Sequence, residues 1–125
     1  PKDRKENIRR IAETAHLMMD AGLVVLAAFV SPYRNDRDDI RKIVGADNMV
    51  EIYINTSVEE CERRDVKGLY KKARKGEIKN MTGISAPYEP PLHPDIQINT
   101  EKVTIIDATK QIINFINPKL ILQNE

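Results

Sequence analysis

The 125-residue chain predicts an α/β domain with a mostly parallel sheet and flanking helices. Apolar runs of strand length alternate with stretches of helical periodicity, and glycines and prolines mark the changes between them. The composition, 41% hydrophobic and 31% charged, suits one domain around one core. Lys plus Arg is 20 and Asp plus Glu is 19, a net charge of +1. No overall field therefore draws the chain to nucleic acid or a membrane surface. The longest apolar run, Leu23 to Val30, falls far short of the roughly 20 residues of a membrane span, and nothing near the start resembles a signal peptide. A cytoplasmic protein away from membranes is expected. The single cysteine, Cys61, excludes an internal disulfide and a thiolate-rich metal site, and favours a reducing compartment. The chain starts at Pro1 rather than methionine, so further residues are expected upstream.

Asp3 and Glu6 have the spacing of a capping pair, and Ile8, Ile11, Ala12, Ala15, Met18 and Met19 recur at helical intervals up to Gly22. A helix over 3–21 is predicted. Leu23 to Val30 is a continuous apolar, β-favouring run of the kind buried on both faces of a parallel sheet, and is expected as a central strand. Ser31-Pro32 breaks it, and Asp36 to Val44 reads as a short charged helix stopped by Gly45. Met49 to Asn55 is the next strand. Thr56 with Glu59, or Ser57 with Glu60, then caps a helix to about Arg64. Residues 63–79 carry eight basic residues against Asp65 and Glu77, a local charge of +6, with Leu69 to Lys75 helical between Gly68 and Gly76. Such a hinged cationic segment suits a lid. Four of the seven prolines fall within 80–94, which predicts a loop without helix. Asp95 to Asn99 alternates as a short strand, and Val103 to Ile116 is a closing helix ended by Asn117-Pro118. In sheets of this kind ligands bind beyond the carboxyl ends of strands, here Val30-Ser31, Asn55-Thr56 and Asn99-Thr100.

Five ordered blocks carry a more specific signal: Asp3-Arg-Lys-Glu-Asn-Ile-Arg-Arg10, Asp20-Ala-Gly-Leu23, Phe29-Val-Ser-Pro-Tyr33, Asp65-Val-Lys-Gly-Leu-Tyr-Lys-Lys-Ala-Arg74 and Gly76-Glu-Ile-Lys-Asn-Met-Thr-Gly-Ile84. From Asp3 to about Ile116 the chain resembles the adenylyl-sulfate kinase family. Its members transfer the ATP γ-phosphate to the 3′-hydroxyl of adenosine 5′-phosphosulfate, giving PAPS in sulfate assimilation. The resemblance implies a P-loop NTPase-like parallel sheet with flanking helices. It makes residues 1–125 part of that kinase domain, with the lid at about 63–84 and the C-terminal helix at about 103–116.

By the same resemblance, Arg4 and Asn7 bind the substrate nucleotide, where a guanidinium fork and an amide suit phosphosulfate and ribose oxygens. Val30 and Ser31 match the strand end that holds adenylyl-sulfate, and Ser31 matches the phosphoserine position described in bacterial members. The motif offers that hydroxyl no adjacent base, and transfer between bound nucleotides needs no enzyme nucleophile, so a binding or orienting part suits the serine better. Lys67 matches a substrate-binding lysine at the root of the lid. Asn80 and Met81 match the pair that closes over the adenylyl group, with methionine where many relatives stack an aromatic ring. Arg64 and Lys102 fall where relatives contact the ATP base. ATP with Mg²⁺ is the implied co-substrate pair, and a homodimer the implied assembly.

No residue of the chain is expected to hold a metal. The acids of Asn35 to Asp39 favour a helix start without an ion, and His16 and His93 lack ligand spacing. The phosphate-cradling pattern Gly-x-x-x-x-Gly-Lys-Ser/Thr occurs nowhere in the 125 residues, and neither does the Asp-Gly-Asp motif that follows it in relatives. In relatives the strand leading into that loop lies between those matching Leu23 to Val30 and Met49 to Asn55. Three readings are open. The first is a C-terminal portion of a longer kinase, inactive by itself. The second is a non-catalytic nucleotide-binding or dimerising remnant. The third, a nucleic-acid-binding module built on residues 63–79, is disfavoured because Tyr70 is the lone stacking residue there.

Overall fold

The structure, a computed structural model, describes residues 2–120. Its elements run α1 (Lys2–Asp20), α2 (Arg34–Val44), β1 (Ile52–Ile54), α3 (Val58–Arg64), α4 (Leu69–Arg74), β2 (Ile96–Ile98) and α5 (Ile105–Leu120). Rather than the single core expected from length, these residues gather into two compact units. One comprises residues up to Met49 together with Asn80–Pro91, and the other Val50–Lys79 together with residues from Leu92 onward.

In the first unit α1 starts at Lys2, so Asp3 lies in its first turn, where a carboxylate complements the helix dipole. Ile8 and Ala12 are buried, with Ile11, Ala15 and Met19 half-buried beside them. This stripe packs on α2, where Val44 is buried. Full burial of a side chain such as Ile8 is worth roughly 1.5–3 kcal/mol, so the helix pair rests chiefly on this seam. At its edge Lys5 Nζ lies 3.1 Å from Asp39 Oδ2. The end of α1 is set by Gly22: its N–H donates to Met19 O (2.8 Å), while Leu23 N–H donates to Met18 O (3.1 Å). These are the two bonds of a Schellman stop, and they require the left-handed backbone that Gly22 adopts at φ +82°.

Leu23 to Val30 departs from its expected role as a central strand. It runs without regular secondary structure, and among the described residues the one sheet is β1–β2. A β-favouring run becomes a strand only where a neighbour supplies ladder partners about 4.8 Å away. Among the described residues no strand pairs with Leu23 to Val30. Leu26 is consequently 87% exposed and Val30 63%.

In the second unit β1 and β2 pair in parallel, with Ile52 opposite Ile96, Tyr53 opposite Gln97 and Ile54 opposite Ile98. Ile96 and Ile98 are buried on one face, while Gln97 between them is exposed, the period-two pattern expected of Asp95 to Asn99. Ser57 caps α3, its Oγ accepting from Glu60 N–H at 3.2 Å; of the two capping pairs offered by the sequence, this is the one that forms. The closing helix α5 runs past its expected end, with Pro118 inside the last turn. Proline there lacks the N–H that would bond Asn114 O, so the helix continues past it without that bond. Thr104 begins α5 by accepting from Asp107 N–H at 3.1 Å. Among the described residues no helix is long and apolar enough to cross a membrane.

Candidate functional site

The expected acceptor-side residues of the first unit are Arg4, Asn7, Val30, Ser31, Asn80 and Met81. Arg4 and Asn7 stand three residues apart on α1, hence on one side of the helix, and both are exposed. Ser31 follows the Leu23–Val30 run in the left-handed region, at φ +30°. A non-glycine residue held there stores strain of roughly 1–3 kcal/mol, so its surroundings must hold it. Pro32 is among the largest fully buried side chains, and Pro32 O accepts from Glu89 N–H at 2.8 Å.

Two arginines of α2 complete the hold. Arg37, only 7% exposed, donates through Nη1 to Ser31 O and through Nη2 to Glu89 O, each at 2.6 Å. Its guanidinium also lies over the Tyr88 ring, 5.8 Å from the centroid. Arg34 donates through Nε to Pro90 O at 2.7 Å, and its backbone N–H reaches Glu89 Oε2 at 2.8 Å. Tyr33, the N-cap of α2, supplies no side-chain cap. Glu89 therefore caps that helix start from more than fifty residues away, satisfying a free N–H of the first turn and complementing the dipole.

At the other end of the same proline-rich segment, Met81 N–H donates to Ser85 Oγ at 3.0 Å. Met81 O accepts from Ile84, Ser85 and Ala86 N–H at 3.1, 2.9 and 3.0 Å. This knot leaves Met81 half-buried, beside an exposed Asn80 at φ +58°. It fixes the backbone at the expected adenylyl pair.

The second unit carries Arg64, Lys67 and Lys102. At the carboxyl ends of β1 and β2, Thr56 Oγ1 and Thr100 Oγ1 share a hydrogen bond of 2.6 Å. Arg64 donates through Nη1 to Thr100 Oγ1 (2.8 Å) and through Nη2 to Thr100 O (3.0 Å). Lys102 lies in the following turn, where its N–H donates to Asn99 O at 3.1 Å. Arg64 is thus tied to the turn that bears Lys102, which brings the two expected ATP-side residues to one end of the strand pair.

Lys67 sits in a turn built by Asp65. The Asp65 carboxylate accepts from Lys71 and Tyr70 N–H, each at 3.0 Å, and its backbone O accepts from Gly68 N–H at 2.9 Å. The bonds from the Lys71 and Tyr70 amides hold the Asp65 pKa below the ordinary carboxylate range. The turn exposes Lys67 and leaves Val66 93% exposed. Gly68 closes it at φ +65°, a conformation that an added side chain would strain.

Part of the +6 charge of residues 63–79 is compensated from outside that window. Glu60 takes both Arg63 and Arg64, each at 2.6 Å. Hydrogen bonds from these two arginines lower the Glu60 pKa to about 2. Arg74 pairs with Glu62. Among the described residues no group of three or more His, Cys, Asp or Glu side chains could hold a metal ion.

Arg34, Arg37 and Glu89 were not expected from the sequence. The nearest signal was an arginine at the start of a helix next to a Ser-Pro break. Their bonds span 52 to 56 residues, so no local pattern reveals them.

Comparison with known proteins adds independent findings. Residues 1–99 match the sequence model of the family described as adenylylsulphate kinase. The chain is 56% identical over 119 residues to an adenylyl-sulfate kinase of Oceanobacillus iheyensis, covering 95% of this chain and 60% of that protein. It is 53% identical over 122 residues to one of Staphylococcus haemolyticus, covering 98% and 61%. The chain thus spans about 60% of the length of these curated relatives. Among solved structures it superposes on the Mycobacterium tuberculosis APS kinase in complex with AMPPNP and APS, with a TM-score of 0.87 and 39% identity, covering 93% of this chain and 68% of that one.

Proposed function

The chain belongs to the adenylylsulphate kinase family, and from that premise we propose that it carries the acceptor-binding part of a kinase that phosphorylates the 3′-hydroxyl of adenosine 5′-phosphosulfate to give PAPS. The carrying observation is the identity of 56% over 95% of the chain to an adenylyl-sulfate kinase. The superposition on a relative solved with AMPPNP and APS supports the same reading.

In this reading the Arg4 guanidinium and Asn7 amide donate to oxygens of the phosphosulfate and ribose. Val30 and Ser31 line the acceptor nucleotide, with the serine hydroxyl orienting it. Lys67, exposed on its Asp65-built turn, binds the acceptor nucleotide. Asn80 and Met81 cover the adenine, the thioether giving polarizable contact without a stacked ring. Arg64 and Lys102 border the ATP base. ATP is the phosphate donor, accompanied by Mg²⁺, and this chain's described residues form no cluster suited to the ion. Asp39 is engaged by Lys5 and Lys42, and Asp65 by backbone amides.

Transfer also needs a phosphate cradle of backbone amides and a lysine, and the 125 residues contain no such motif. These residues by themselves bind acceptor nucleotide without turnover. The activity belongs to the cytoplasm, in keeping with the single unpaired thiol, and the kinase acts as a homodimer. Replacing Arg4 with Ala in the chain tests the acceptor reading by calorimetric titration with adenosine 5′-phosphosulfate. Binding should weaken at least tenfold, and an unchanged titration contradicts the assignment.

A further inference from the structure

We infer that Arg37 is a positioning residue for acceptor binding, one that sets the Ser31 turn from behind without touching the nucleotide. This rests on the acceptor-binding reading of Ser31 given above. The guanidinium is buried, so a ligand in solvent does not reach it. Its two terminal nitrogens bind different carbonyls, Ser31 O and Glu89 O, each at 2.6 Å. Because the fork is planar and rigid, these two bonds fix the spacing between the chain leaving the Leu23–Val30 run and the proline-rich segment that begins at Asn80 and Met81. Lysine offers one compact donor head and cannot span both carbonyls in the same geometry.

Ser31 shows what is being held. It stands at φ +30°, where a non-glycine residue persists only if its neighbours over-determine it. The bond to its own carbonyl comes from Arg37, and the next residue, Pro32, accepts from Glu89 N–H. Tyr88 lies under the same guanidinium. Arg37 therefore joins the two stretches of the first unit that carry Val30, Ser31, Asn80 and Met81. Loss of the fork should let Ser31 relax toward ordinary backbone angles and turn its hydroxyl away from the acceptor.

The test uses the 125-residue chain with Arg37→Lys and Arg37→Gln. Each is titrated with adenosine 5′-phosphosulfate, and amide resonances are compared by ¹H–¹⁵N NMR. Both variants should bind at least tenfold more weakly, with the Ser31 and Glu89 amides displaced and those of α1 in place. Arg4→Ala, which removes a contact rather than a support, should weaken binding without displacing the Ser31 and Glu89 amides. Affinity within twofold of the unaltered chain in either variant overturns the inference. So does loss of the α1 resonances in both variants, which would make Arg37 a general stability residue. If the unaltered chain binds no adenosine 5′-phosphosulfate, the acceptor reading fails. Displaced Ser31 and Glu89 amides in the Arg37 variants would still support the hold on the turn, and undisplaced ones would refute it.

Discussion

Leu23–Val30 and Ile96–Ile98 are both apolar and β-favouring, yet they meet different fates. Ile96 and Ile98 are 4% and 2% exposed in a ladder with β1, whereas Leu26 and Val30 are 87% and 63% exposed with no ladder. Propensity is similar in the two segments, and what differs is a partner strand. The two units are consequently held by different means. The second pairs two strands over buried Ile96 and Ile98 and ties their carboxyl ends through the exposed Arg64, which donates to Thr100. The first adds to its helix seam a polar clamp, in which buried Arg37 and the Glu89 cap fix a strained turn. A buried forked hydrogen-bond clamp sets geometry more firmly than an exposed one, and the unit with the buried clamp carries the expected acceptor residues other than Lys67.

The largest effect that would sharpen this contrast is expected at Ile98. Ile98→Ala should cost about 2–5 kcal/mol in urea unfolding, through lost burial and the cavity left behind. Hydrogen exchange should accelerate across 52–56 and 96–100 while the Ser31 turn keeps its protection. Equal acceleration at Ser31 and Glu89 would break the distinction between the two units. Next comes Gly22→Ala, which puts a side chain at φ +82° with no clash within 4 Å. The cost is then backbone strain alone, roughly 1–2 kcal/mol, read from the urea midpoint. Ser57→Ala removes the α3 cap and should cost about 1 kcal/mol, with fraying confined to 57–61.

The smallest effect is electrostatic. Glu60 and Glu6, each in contact with two arginines, have pKa values lowered from 4.5 to about 2. A depressed folded-state pKa gives stability that is full above the unfolded value and is lost as pH falls through the folded one. Thermal stability should therefore be flat above pH 4.5 and decline from there toward pH 2. Because both carboxylates keep contact with solvent, screening keeps the change small. Glu60→Gln should shallow the decline, and an identical acid profile in the variant would show that the pair contributes nothing measurable.

What was legible in the sequence had short-range causes. The helices over Lys2–Asp20 and Arg34–Val44 follow from apolar spacing and from the glycines that stop them, and the Ser57–Glu60 cap from a pair three residues apart. The helix at Leu69–Arg74 between two glycines and the strand at Ile96–Ile98 were likewise local. Leu23–Val30 was read as a strand because composition reports a preference and says nothing about who stands alongside. Pro118 was read as a stop because its position in a last turn depends on how far α5 continues. The family was legible through ordered blocks such as Asp65 to Arg74. Of the expected site residues, Arg4, Asn7, Val30, Ser31, Lys67, Asn80 and Met81 lie inside those blocks, and Arg64 and Lys102 outside them. The support from Arg34, Arg37 and Glu89 was not legible, because it joins positions 52 to 56 residues apart that no periodicity links.

The proposal that these 125 residues hold acceptor nucleotide without phosphorylating it has one decisive measurement. The chain is given adenosine 5′-phosphosulfate and Mg²⁺-ATP, and heat of binding and ADP release are followed in the same preparation. Saturable binding of adenosine 5′-phosphosulfate is expected, with no ADP above the blank. ADP formed in step with added acceptor, or no binding heat at all, would contradict the proposal.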